Sequence, residues 1–166
     1  MQLSQQLVTD FTAEVDNTKK VLQVVPEQKL QFQPHPKSWT LAQLAGHVAE
    51  GPAFAHAMME PELNFEKGGD WKPFIPKTKA ELLATCERVG KDVAELMQGR
   101  SDAFLNETWT MRNGDKVLWQ VPRHVALRSM TIHHSIHHRG QLEVYLRLCD
   151  AALPPIYGPT ADEPAF

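Results

Sequence analysis

The sequence predicts an all-α fold, a four-helix bundle in which a long connection between the third and fourth helices holds a short β-hairpin or an irregular excursion. Three observations lead there. Four segments carry apolar residues at helical spacing, no segment repeats another, and an Asn-Gly dipeptide between strand-favouring runs interrupts the otherwise helical pattern. At 166 residues the chain is expected to form one domain, 1–166, around a single core.

The first helix runs from Leu3 to about Val25, with Leu7, Phe11, Val15, Val21 and Leu22 on one stripe and Pro26 as its stop. Residues 33–39 follow as a connector, because Pro34 and Pro36 remove backbone donors and favour extended structure. Thr40 starts the second helix: Thr40-Leu41-Ala42-Gln43 fits the S/T-x-x-E/Q capping box. That helix reaches about Met59, and its apolar stripe of Leu44, Val48, Ala55 and Met58 includes His47. Pro52 lies inside it and costs the amide bond to Val48, so a kink is expected near His47.

Glycine, proline and aromatic residues mark 61–76 as a loop. Thr78 and Glu81 then supply a second capping box for a third helix that ends near Gly99 and buries Leu82, Cys86, Val89, Val93 and Leu96. Residues 107–121 place Asn113-Gly114 between strand-favouring runs, the hairpin signal. Pro122 fits the first turn of a long fourth helix that continues to about Cys149. The tail, with Pro154, Pro155, Pro159 and Pro164, cannot be helical and is expected to pack across the surface.

Composition bounds the function classes. With 42% hydrophobic and 22% charged residues the chain belongs with ordinary globular proteins. No apolar run approaches the roughly 20 residues needed to span a bilayer, and the start lacks the basic and apolar stretches of a signal peptide, so no membrane association and a cytoplasmic location are expected. Cys86 and Cys149 are far apart and outside any C-x-x-C, which points to a reduced compartment and to neither a disulfide framework nor a thiolate zinc site. A net charge of -3 gives no footprint for nucleic acid, and the cluster of Arg123, His124 and Arg128 reads as a solvated helix face.

The stretch H-H-S-I-H-H-R-G-Q, 133–141, holds four of the eight histidines. On a helix, residues four apart share a face, so His134 with His138, or His133 with His137, can point at one ion. Periodicity leans only slightly to the first pair, whose face also carries Leu127, Thr131, Leu142, Tyr145 and Cys149. A third ligand must come from another helix, and His47 on the inward stripe of helix two is the candidate. The competing reading of such histidines is a set of solvated or hydrogen-bonded side chains.

Residues 134–141, His-Ser-Ile-His-His-Arg-Gly-Gln, resemble the H-x-x-x-H-R-G-Q signature of the DinB-like (DinB/YfiT) superfamily of metal-binding four-helix bundles, which is unrelated to the DNA polymerase sharing that label. Ser38-Trp39 through His47 is similar to the family's start of helix two, and Pro155 through Glu163 to the ending of some members. The resemblance implies ligands at His47, His134 and His138 for a divalent ion, typically zinc, nickel or iron, at a pocket at one end of the bundle. It also implies homodimers formed through bundle helices. His133 and His137 then fall outside the ligand set. Around the site, Arg139 is expected to ion-pair on the bundle surface or with the loop after helix two, Gln141 to hydrogen-bond near a ligand histidine and Gly140 to permit close helix packing. Trp39 is read as a core anchor and Tyr157 as a tether for the tail.

Three neutral imidazoles leave a coordination position open, the arrangement of a catalytic ion that ionises a water or a thiol near neutral pH. No glutamate follows His133, which excludes H-E-x-x-H protease chemistry, and no E-x-x-H of a di-iron carboxylate bundle occurs. Two functions from different classes follow. One is a metal-dependent thiol S-transferase, or a related hydrolase or isomerase, acting on a small-molecule thiol or electrophile. The other is a non-catalytic stress-response protein that binds a metal or a small ligand. No catalytic base is assigned; Glu50, three residues after His47, is either that base or an outward surface group.

Overall fold

A computed structural model describes residues 2–68 and 72–163; Pro164, and residues 69–71 of the expected loop, lie outside the described residues. Helix α1 spans Leu3–Gln23, α2 Leu41–Glu50 and α3 Lys79–Met97, followed by the short α4, Asp102–Asn106. The fourth bundle helix is composite: α5 (Arg123–Leu127), a π-helical segment (Arg128–His133) and α6 (His134–Leu148) run on without a break. These four bundle helices build the expected all-α four-helix bundle. α1 packs against α3 and α6, and α2 packs against the same two helices.

The start signals act as read for α2. Gln43 N donates to Thr40 Oγ1 at 3.2 Å, and Thr40 N donates to Gln43 Oε1 at 2.8 Å, which completes the capping box. At α3 only half of the box forms: Glu81 N donates to Thr78 Oγ1, but the Glu81 carboxylate takes Lys77 N instead of Thr78 N. Along α1, Leu7, Phe11, Val21 and Leu22 are buried, each burial worth about 1.5–3 kcal/mol.

The apolar residues form two clusters stacked along the bundle. One joins Val21 and Leu22 of α1, Leu44 and Val48 of α2, and Leu142 and Leu146 of α6. The other joins Leu7 and Phe11 to Val89 and Val93 of α3, with Trp109 and Leu127.

Differences from the sequence reading lie in the segments between the bundle helices. Pro52 does not kink a continuing α-helix; the backbone tightens into a 3-10 helix over Gly51–Met58, because a residue without an N–H cannot serve the i→i−4 ladder. The expected hairpin forms as β2 (Thr108–Asn113) and β3 (Lys116–Pro122), and gains a third, parallel strand, β1 (Glu62–Asn64), in the order β1-β2-β3. Its two-residue loop is Gly114-Asp115, since Asn113 pairs with Lys116, and glycine supplies the positive φ of 56° at the first loop position. Trp109 anchors the hairpin, fully buried and donating Nε1–H to Ala57 O at 3.2 Å.

Arg123 does not lie on a solvated face. It is 1% exposed, its guanidinium donates to Met58 O, Glu60 O and the Glu107 carboxylate, and its charge lies 4.1 Å from the centre of the Phe104 ring. It ties the 3-10 segment to α4 and to Glu107, the residue between α4 and β2. The tail behaves as expected: Leu153 and Ile156 pack on the first cluster, and the Arg147–Asp162 ion pair closes 2.5 Å over α6. No helix among the described residues is long and apolar enough to cross a membrane.

Candidate metal centre

His47 stands in the last turn of α2, just before Gly51 and Pro52 turn the chain into 3-10 geometry. His134 and His138 open α6, immediately after the π-helical segment. A π turn takes in about one residue more than an α turn, so it rotates everything after it relative to a straight α-helix. The buried stripe of α6 is accordingly Ser135, Arg139, Leu142 and Leu146, one step on from the stripe that regular spacing predicts. His134 and His138 sit on its flank, half-buried, instead of at its centre. Thr131 and Ser135 hold the segment by donating their hydroxyls to Leu127 O and Thr131 O.

The flank of α6 meets the end of α2, and the three rings converge. Nε2 of His47 and Nε2 of His134 are 3.1 Å apart. Ring centroids are 5.1 Å apart for His47 and His134, and 4.5 Å for each of them to His138. One nitrogen from each ring falls within 4.8 Å of the others, the single such grouping of donors among the described residues. A void of about 10 Å³ lies among these rings, walled by Val48, Gly51 and Met130, room for one particle of water size.

Electrostatics keep the rings neutral. Burial lowers the pKa of His47 to about 4, helped by its two neighbours, and burial lowers His134 and His138 in the same direction. Neutral imidazoles present lone pairs. Nδ1 of His138 lies 2.8 Å from Gln141 Oε1, which can only accept, so Nδ1 carries the proton and Nε2 is left as the donor atom toward the cluster. The chemistry and spacing of this donor set therefore fit a divalent cation better than a hydrogen-bond network, because two of the nitrogens can share one proton while a third lone pair faces the same point.

The surrounding residues correct several expectations. Trp39 is not a core anchor: it is 45% exposed, stacks on His138 at 5.9 Å and sets its edge against His47 at 5.1 Å. Arg139 is neither on the surface nor paired with the loop after α2. It is 2% exposed and bonded to Glu14 of α1 at 2.7 Å, to Thr18 and to Tyr157. Tyr157 does fix the tail, donating its hydroxyl to Glu14 at 2.5 Å. Gly140 is exposed, and a Cβ there would meet nothing within 4 Å, so close helix packing within the chain does not require it. Close packing is instead at Gly46, where a Cβ would run into the Phe74 carbonyl and come within 2.9 Å of Pro76 Cδ. Glu50 caps that crossing segment, accepting Phe74 N at 3.1 Å. His133 and His137 are exposed, with the His137 ring 4.9 Å from His138. The role of Trp39 had one available signal, its position directly before the capping box of the helix that carries His47.

Beside the cluster, between the 37–39 connector and α6, a cavity of about 470 Å³ opens, with His138 and Gln141 in its wall. That size lies within the range of small-molecule sites.

Comparisons with known proteins agree with this architecture. The family model for the DinB superfamily matches residues 10–142, a span that contains all three histidines. A Bacillus subtilis (strain 168) protein, YrdA, described as uncharacterized, is 27% identical over 156 residues, covering 90% of this chain and 85% of its own. Among solved structures, a DinB-like protein from Bacillus cereus ATCC 10987 superposes with a TM-score of 0.72 at 22% identity, over 92% of this chain and 97% of that one. YfiT from Bacillus subtilis, described as a probable metal-dependent hydrolase with an unusual four-helix bundle topology, superposes with a TM-score of 0.64 at 13% identity, over 90% and 89%. The chain belongs to the DinB superfamily.

Proposed function

We propose that this protein is a divalent-metal-dependent enzyme acting on a small molecule, with His47, His134 and His138 as the protein ligands. The observation that carries the reading is the convergence of three neutral imidazole nitrogens from two helices distant in sequence. The description of YfiT as a probable metal-dependent hydrolase supports it. A divalent ion held by three neutral imidazoles supplies Lewis acidity, bringing a water or a thiol toward ionisation near neutral pH.

The chain's own residues prepare that chemistry. Gln141 fixes the tautomer of His138, Trp39 covers the His138 ring, and Val48 and Met130 line the void with apolar atoms that limit bulk water. The adjacent cavity, with Lys37, Ser38 and Gln141 in its wall, supports turnover over simple storage, because a ligand can lie next to the cluster. Within this reading the nucleophile is a low-molecular-weight thiol or water, the ion is zinc or nickel, with iron as the third choice, and the working form is a homodimer. Imidazole serves all of these ions, so the native one is set by geometry and supply.

The test begins with metal content. Protein loaded with zinc or nickel should hold one ion per chain, and His47→Ala, His134→Ala and His138→Ala should each lose it; full stoichiometry and affinity in His138→Ala would refute the ligand assignment. Loaded protein is then assayed with glutathione, bacillithiol and mycothiol against electrophiles, and with water alone. Turnover that disappears in the three variants supports the enzyme, whereas stoichiometric metal with no turnover of any of these favours the non-catalytic binding protein. Light scattering reads the dimer directly.

A further inference from the structure

The cavity beside the histidines has a shape and a charge that the metal cluster does not explain. His138 belongs to both: its ring lines the ion-sized void on one side and the larger cavity on the other. From His138 the cavity follows α6 through Gln141 to Tyr145, a run of about 10 Å at 1.5 Å per residue. Leu44, Val144 and Tyr145 make its far part apolar. Val144 is 60% exposed.

The opposite wall is the connector before α2, and it is fixed in place. Ser38 N donates to His35 O at 2.8 Å, Lys37 N to His35 Nδ1 at 3.1 Å, and Gln33 Nε2 to Ser38 O at 2.6 Å. This turn presents Lys37, the only formally charged side chain among the described residues of the lining. The lysine ion pairs of the described residues involve Lys19, Lys29 and Lys91, and among these residues the Lys37 ammonium has no carboxylate within ion-pair distance. Among the described residues, no acid lines the cavity to oppose an anion.

Resting on the metal-dependent reading above, we infer that this cavity is the substrate subsite and that it takes an organic carboxylate with an apolar chain, its carboxylate on Lys37 and its chain along Val144 and Tyr145. Lys37 is then a specificity-determining residue, selecting anionic over cationic substrates of the same size. Octanoate and octylamine are matched probes, equal in length and opposite in charge. Binding is read by calorimetry on the zinc-loaded full chain, with metal content measured on the same samples.

Octanoate should bind more tightly than octylamine, and K37E should weaken octanoate about tenfold and reverse the preference, with the zinc content unchanged. Val144→Asp, at an exposed position, should weaken octanoate as well, by placing a carboxylate in the apolar wall. Equal binding of the two probes, or octanoate affinity untouched by K37E, would overturn the inference. The two readings fail separately: loss of charge selection with zinc still bound removes the subsite alone, whereas His138→Ala that keeps its zinc removes the ligand assignment.

Discussion

Arg139 offers the sharpest stability test, because its surroundings allow the cost of losing it to be worked out. The guanidinium is 2% exposed and donates to the Glu14 carboxylate at 2.7 Å, the Glu14 carbonyl at 3.2 Å, Thr18 Oγ1 at 3.4 Å and the Tyr157 hydroxyl at 2.6 Å. Arg139→Met fills similar volume but leaves the Glu14 carboxylate, itself 13% exposed, with only the Tyr157 hydroxyl. Breaking a buried pair from one side costs about 3–5 kcal/mol, and a carboxylate that can take up a proton or a water belongs at the low end, about 3 kcal/mol. For a chain of this length that is a fall in Tm of about 6–12 °C. Glu14→Leu should cost more than Arg139→Met, because a stranded guanidinium cannot shed its charge. The double variant Glu14→Leu/Arg139→Met should recover to within about 1 kcal/mol of the parent, since replacing both partners removes the unpaired charge. Urea unfolding with a common slope reads all four proteins. If Arg139→Met costs under about 1 kcal/mol, or the double variant costs the sum of the singles, the pair does not join α6 to α1 as argued.

Two further outcomes concern the histidines. Gln141→Leu removes the acceptor that holds His138 in one tautomer, and should lower zinc affinity about 10- to 100-fold while leaving the stoichiometry at saturating metal intact, as read by competition with a chromophoric chelator. The pH dependence follows from the lowered pKa of His47. Its folded value of about 4 lies below the ordinary 6.5, so between these the unfolded chain binds the extra proton. The stability this group contributes is therefore complete above about pH 6.5 and is lost as pH falls toward 4; His134 and His138, lowered in the same direction, add to the slope. Urea midpoints of chelator-treated protein should fall across that window, and the fall should flatten in His47→Ala; a parent protein as stable at pH 4.5 as at pH 7 would contradict it.

The bundle was legible because its signals are local. A capping box needs only Thr40 and Gln43, and an amphipathic stripe such as Leu7, Phe11, Val21 and Leu22 needs only its own spacing. The features that escaped are made between distant residues or by a change of helical pitch. Arg123 and Arg139 look like surface charges until Glu107 and Glu14 are brought against them by the fold. β1 has three residues, too few to show alternation, and exists because β2 offers it an edge. Trp39 reads as core by its size, yet the aromatic face it offers is used on His138. The three candidate histidines could be named from the family's motifs, whereas regular spacing leaned only slightly to a buried stripe that includes His134 and His138. The π-helical segment, for which Arg128–His133 carries no sequence mark, moved Ser135 and Arg139 there and turned the histidines out to meet His47.

That displacement separates two accounts of why the rings meet, and they differ in sign. In a structural network each buried N–H finds an acceptor and each lone pair a donor, so losing a member costs about 1–3 kcal/mol. Here His47 Nε2 and His134 Nε2 stand 3.1 Å apart and can share one proton, while the proton of His138 is already given to Gln141 and the His138 ring still offers a nitrogen within 4.8 Å of the other two. Burial opposes the charge that would resolve the mismatch. On the metal-dependent reading proposed above, the cluster is arranged for a cation at the expense of the metal-free fold, the usual direction of conflict at a functional site. His134→Leu, which removes one facing lone pair and adds apolar volume beside Met130, should raise the stability of chelator-treated protein by about 1 kcal/mol while abolishing zinc binding. Urea unfolding of the metal-free parent and variant decides the matter: a loss of about 1–3 kcal/mol in His134→Leu would mean that the three histidines hold the bundle together and are not a site built for an ion.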